Sequence, residues 1–162
     1  MTYGYTSSEP TLTVNLTPEQ QRAGRMLAKR LGFVQSRGPA AGNQGSLSQL
    51  VAAIGEHASD RGIRATAAAL KWTLDITPAP RYQTHSNLLI DSALIPLLQS
   101  VAKAAGHVRA TGPKARIGQG STNALVASIA QAAVDGLDDA TRRLQWIVPA
   151  KSRPPARSQR QS

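Results

Sequence analysis

The sequence predicts a mainly α fold with a two-stranded antiparallel ribbon, built from two β-α-α-α repeats around one pseudo-twofold core. Three observations predict it. Residues Gly32–Pro39 recur as Gly106–Pro113, with Gly, Val, Gly and Pro kept at a shift of 74. Residues Gln44–Ile54 recur as Gln119–Ile129, identical at Gln, Gly, Ser, Leu, Val, Ala and Ile, now at a shift of 75. Each copy also opens on a short alternating segment that reads as a strand. Two copies are too few for a solenoid and suit a dimer fused into one chain.

In the first copy, Leu12, Val14 and Leu16 alternate with Thr11, Thr13 and Asn15, the period of a half-buried strand. Thr17 and Gln20 have capping-box spacing and Pro18 suits the first helical position, so a helix starts here. Ala23, Leu27 and Leu31 line one face of it, and Gly32 ends it. After a long loop, Ser46 caps a second helix with Leu50, Val51, Ile54 and Ala58 inward. A third helix is expected over Ile63–Leu74. In the second copy the strand falls at His85–Ile90, with Leu88 and Ile90 inward. Pro96 moves the next helix start to about Ile95. Ser121 caps the second helix and a last helix runs over Asp138–Trp146. A lone six-residue strand needs a partner, so the two strands are expected to pair antiparallel over the helices.

The chain has 162 residues, and 19 Lys+Arg against 9 Asp+Glu gives it a net charge of +10. It has no cysteine, which excludes disulfides, thiol catalysis and cysteine metal sites. Its three histidines, His57, His85 and His107, lack metal-ligand spacing, so no metal and no cofactor are expected. No apolar run approaches the roughly 18 residues of a membrane span, and Met1–Pro10 is polar, unlike a secretory signal. These features predict a soluble cytoplasmic protein attracted to a polyanion, with nucleic acid first among candidates. The expected organisation is an N-terminal arm over 1–10, a first repeat over 11–76, a linker over 77–84, a second repeat over 85–148 and a basic tail over 149–162. Both termini read as disordered from composition.

Strand, helix and capped second helix, used twice about a ribbon, resembles the ribbon-helix-helix DNA-binding family of the Arc and MetJ type. The residues that carry the resemblance are Thr11–Leu16, Pro18–Leu31 and Gly45–Ile54, echoed by Gly120–Ile129. The connections Gly32–Gly45 and Gly106–Gly120 are longer than in that family, and the third helix with its tryptophan is an addition. The resemblance implies a ribbon inserted into the major groove of double-stranded DNA. The outward residues Thr11, Thr13, Asn15, His85, Asn87 and Leu89 would then face base edges. Asn can read adenine bidentately, and Thr or Leu can meet a thymine methyl. Thr and Asn are equally ordinary on a solvent-facing strand.

The pairs Gly45-Ser46 and Gly120-Ser121 open helices, whose free N–H groups suit a DNA phosphate; Ser there is also a plain N-cap. Arg22, Arg25, Lys29 and Arg30 form a basic helix face. Arg37, Arg109, Lys114 and Arg116 in the long loops, and Lys151, Arg153, Arg157 and Arg160 in the tail, are further candidates for phosphate contact. Trp72 and Trp146 read as anchors of the core. No nucleophile, base and orienter assemble into a motif, so the expected class is a binding protein and not an enzyme. The expected function is transcriptional regulation or plasmid or phage DNA organisation by a nucleoid-associated protein. It would be a monomeric pseudo-dimer in solution, free to assemble side by side on DNA. The rival readings are a helical scaffold with a basic nucleic-acid-binding tail, and a relaxosome accessory factor.

Overall fold

A computed structural model describes residues 11–34, 44–76, 84–108 and 120–147. The arm over 1–10, the basic tail, and the loop residues Arg37, Arg109, Lys114 and Arg116 lie outside the described residues. The described chain is mainly helical with one two-stranded antiparallel sheet. Its order is β1 (Thr11–Leu16), α1 (Pro18–Arg30), α2 (Leu47–Arg61), α3 (Ile63–Leu70) and a 3₁₀ turn (Lys71–Asp75). It continues with β2 (Thr84–Leu89), α4 (Leu94–Ala105), α5 (Thr122–Asp135), α6 (Leu137–Arg143) and a second 3₁₀ turn (Gln145–Ile147).

The ribbon pairs Thr11 with Leu89, Thr13 with Asn87 and Asn15 with His85. Val14, Leu16, Leu88 and Ile90 are buried, which fixes the register because a one-residue slip would expose them all. The second strand starts one residue earlier than its alternation suggested, at Thr84.

Thr17 and Gln20 form the expected capping box, with Thr17 Oγ1 accepting from Gln20 N at 3.0 Å and Gln20 Oε1 accepting from Thr17 N at 2.9 Å. Gln20 has a second task that its cap position did not announce. It is fully buried, and its Nε2 donates to Gln131 Oε1 at 3.0 Å, tying α1 to α5. α1 packs mainly on α5, and α2 on α4, so each half's first helix lies against the other half's second helix. The fully buried Leu27, Leu50, Ile54, Leu98, Leu125 and Ile129 form the core between them.

α1 and α4 end alike. Gly32 and Gly106 take φ of +93° and +108°, a region that favours glycine. The next amide reaches back into the helix, Phe33 N to Ala28 O and His107 N to Ala102 O, both at 2.8 Å. The two ends of each long connection then meet in an antiparallel bridge, Val34 with Gly45 and Val108 with Gly120.

The third helix of each half is shorter than its sequence predicts. α3 stops at Leu70 and tightens into 3₁₀, where Thr73 Oγ1 donates to Leu70 O at 2.6 Å. α6 stops at Arg143, where Trp146 Nε1 donates to Arg143 O at 2.8 Å. In both places a side chain takes a carbonyl at the helix end, which favours termination. Both tryptophans pack against the core, as expected of anchors.

Candidate nucleic-acid interface

The pleat puts Thr11, Thr13, Asn15, His85, Asn87 and Leu89 at register positions on the ribbon's outer face, opposite the buried set. Thr13 and Asn87 are exposed and joined, Thr13 Oγ1 donating to Asn87 Oδ1 at 2.8 Å. That bond spends the hydroxyl proton and orients the amide, leaving the Asn87 NH₂ and the second lone pair of its oxygen for another partner. Leu89 is 59% exposed, an apolar side chain on the same face. Asn15 sits differently from what strand parity suggests. It is half-buried, and its Oδ1 is buried without a partner.

The ribbon's outer edges are held by helix N-termini. Ser48 Oγ, in the first turn of α2, accepts from Leu89 N at 3.1 Å. Asn123 Oδ1, in the first turn of α5, accepts from Asn15 N at 2.7 Å. Each strand is therefore tied to the second helix of the other half, and an edge amide that could recruit another strand is occupied. Ser46 and Ser121 cap these helices, accepting from Gln49 N at 3.2 Å and from Ala124 N at 3.1 Å.

The glycines before these serines have a packing reason. A Cβ at Gly45 would lie 1.8 Å from Arg25 O, and one at Gly120 would lie 2.0 Å from Gln99 O. The recurring Gly-Ser pair thus serves helix contact and capping in both halves. Its signal in the sequence is accounted for before any phosphate is invoked.

The close approach at Gly45 assembles a feature that the sequence held only as separate pieces. Arg22, Arg25, Met26, Lys29, Gln44 and Gly45 line a shallow groove with a volume of about 210 Å³ at the start of α2. Arg22, Arg25 and Lys29 are exposed and, among the described residues, none forms an ion pair. Arg30, the fourth cation of that helix face, instead pairs with Asp138 of α6. Asp139 pairs with Arg142 and Arg143, and the hydrogen bond from Arg143 holds its carboxyl below the usual range.

His107 is buried, with Nε2 2.8 Å from Thr73 Oγ1. Thr73 already gives its proton to Leu70 O, so His107 Nε2–H is the donor. Burial lowers its pKa from the ordinary 6.5. His57, in contact with Trp146 and 2.7 Å from Thr66 Oγ1, is shifted the same way, chiefly by burial and secondly by Arg61. The unfolded chain takes up these protons first as pH falls. Stability is therefore expected to be full above about 6.5 and to drop below it, until the folded rings also titrate. Replacing His107 with Phe, the residue at the matching position 33, should shrink that acid-side loss in melting experiments. An unaltered pH profile would mean that His107 does not carry it.

Among the described residues no group of three His, Cys, Asp or Glu could hold a metal ion, and no helix is long and apolar enough to cross a membrane. No family model, curated protein or solved structure matches the chain.

Proposed function

We propose that the chain binds double-stranded DNA by laying its ribbon in the major groove, as a tandem ribbon-helix-helix pseudo-dimer. The observation that carries this reading is the exposed Thr13–Asn87 face, flanked on both edges by capped helix N-termini. A ribbon of this size fits the major groove, and helix N-termini beside it suit the phosphates that border the groove. The +10 charge supplies attraction independent of sequence. The pseudo-twofold is supported by the paired bridges, the paired helix ends and the paired glycines. The process served is transcriptional regulation or the organisation of plasmid or phage DNA.

Selection from random duplexes tests the reading. An enriched, imperfectly symmetric motif is expected, because Asn15 and Leu89 occupy matching outer positions with different chemistry. No enriched motif would sink base reading and favour the helical scaffold. Because both strands belong to one chain, the melting temperature is also expected to be independent of protein concentration. A melting temperature that rises with concentration would show strand exchange between chains.

A further inference from the structure

We propose that the groove lined by Arg22, Arg25 and Lys29 holds a backbone phosphodiester of the bound DNA on one flank of the ribbon only, giving the complex a fixed polarity. This rests on the DNA-binding reading above and adds which side of the protein grips the backbone.

The three cations stand at i, i+3 and i+7 on α1, so they share one face. Like charges held this close repel, and no described acid neutralises them. A bound anion relieves that repulsion. Met26, half exposed, gives the groove an apolar wall suited to the sugar beside a phosphate. Gly45 lies against the backbone of Arg25 and Lys29, which sets the groove at the start of α2. Two residues into that helix, Ser48 holds Leu89 N, so the groove flanks the Leu89 edge of the ribbon.

The other half lacks this device. Gly120 meets Gln99 O and Lys103 N just as Gly45 meets Arg25 O and Lys29 N. That contact matches Gln99 to Arg25 and Lys103 to Lys29, and it sets Pro96 where Arg22 stands. One cation replaces three. The fold places the two flanks in matching positions, and the side chains make only one of them a strong anion site.

The test compares the intact chain with the triple variant Arg22→Gln, Arg25→Gln, Lys29→Gln and with Lys103→Gln. All four replaced side chains are exposed, and thermal melts check that each variant folds. The slope of log affinity for duplex DNA against log salt is measured for each. The triple variant is expected to lose about 0.9 units of slope, the share of one phosphate, and Lys103→Gln clearly less. Ethylation of phosphates on a selected site should interfere on one flank for the intact chain, and that interference should vanish in the triple variant. An unchanged slope in the triple variant, with the intact chain still binding duplex, overturns the groove and leaves the DNA reading standing. Failure of the intact chain to bind any duplex overturns the DNA reading and the phosphodiester assignment with it. If inorganic phosphate then still shifts the amide signals of Gly45 and Ser46, the groove is a site for a free anion.

Discussion

Gly45→Ala and Gly120→Ala are each expected to destabilise the folded chain by about 3 kcal/mol, the upper end of what overpacking usually costs. The new Cβ at 45 would stand 1.8 Å from Arg25 O and 2.7 Å from Lys29 N; at 120, 2.0 Å from Gln99 O and 2.8 Å from Lys103 N. These are helix backbone atoms, which cannot rotate aside as a side chain can. Either the second helix of the half backs away from the first, or the bridge with Val34 or Val108 opens. The adjacent caps should cost less. Ser46→Ala or Ser121→Ala removes one acceptor for a first-turn amide, about 0.5–2 kcal/mol. Urea unfolding of the four variants ranks them. Glycine losses below the serine losses would show that these helix starts are not pressed against α1 and α4.

Much of this architecture was legible because it depends on local periods. Leu12, Val14 and Leu16 declare a strand by alternation, and the shortage of partners for one strand declares the pairing. Thr17, Ser46 and Ser121 declare helix starts through capping chemistry. The parts that were not legible depend on which distant groups meet. The third helices end early because Thr73 and Trp146 spend their polar atoms on helix-end carbonyls. Gln20 reads as a cap, and its link to Gln131, 111 residues away, has no local signal. Parity alone puts Asn15 outside, yet its carboxamide oxygen is buried. The Gly-Ser recurrence reads as an N-cap and a candidate phosphate contact, and the packing of Gly45 and Gly120 against helix backbone has no local signal. The groove needed that same contact: its cations and its glycine were each visible, and their meeting was not.

The order of strand, three helices and 3₁₀ turn occurs twice along the described chain, with different side chains at the matching positions. Thr73 of the first repeat and His107 of the second share a buried bond, whereas their matching positions, Ile147 and Phe33, both pack with the core. The buried Gln20 matches the apolar Leu94. Arg22 and Arg25 match Pro96 and Gln99, and Asn15 matches Leu89. In the fused pseudo-dimer proposed above, the two repeats need not carry the same residues. Each flank and each strand is then free to specialise, and a target read by such a protein is expected to lack perfect symmetry.

Thr13→Ala and Asn87→Ala are each expected to cost about 1–3 kcal/mol in binding to the preferred DNA site. On random duplex both should bind almost as well as the intact chain, because phosphate contacts supply that affinity. Their effects should not add. Thr13 Oγ1 holds Asn87 Oδ1 at 2.8 Å, so Thr13→Ala also frees the amide that does the reading. The double variant should therefore lose less than the sum of the two, as coupled neighbours do. Asn15→Ala is expected to cost least of the outer polar residues, since its carboxamide oxygen is buried. Leu89→Ala should weaken binding mainly where a thymine methyl lies opposite, on the flank beside the three-cation groove. Folding should survive in all four, because Val14, Leu16, Leu88 and Ile90 still hold the ribbon to the helices. Titrations on the selected site and on random duplex, run side by side at one salt concentration, separate the two kinds of contact. Equal losses on both DNAs would show that the ribbon touches only the backbone, and that sequence is read elsewhere or not at all.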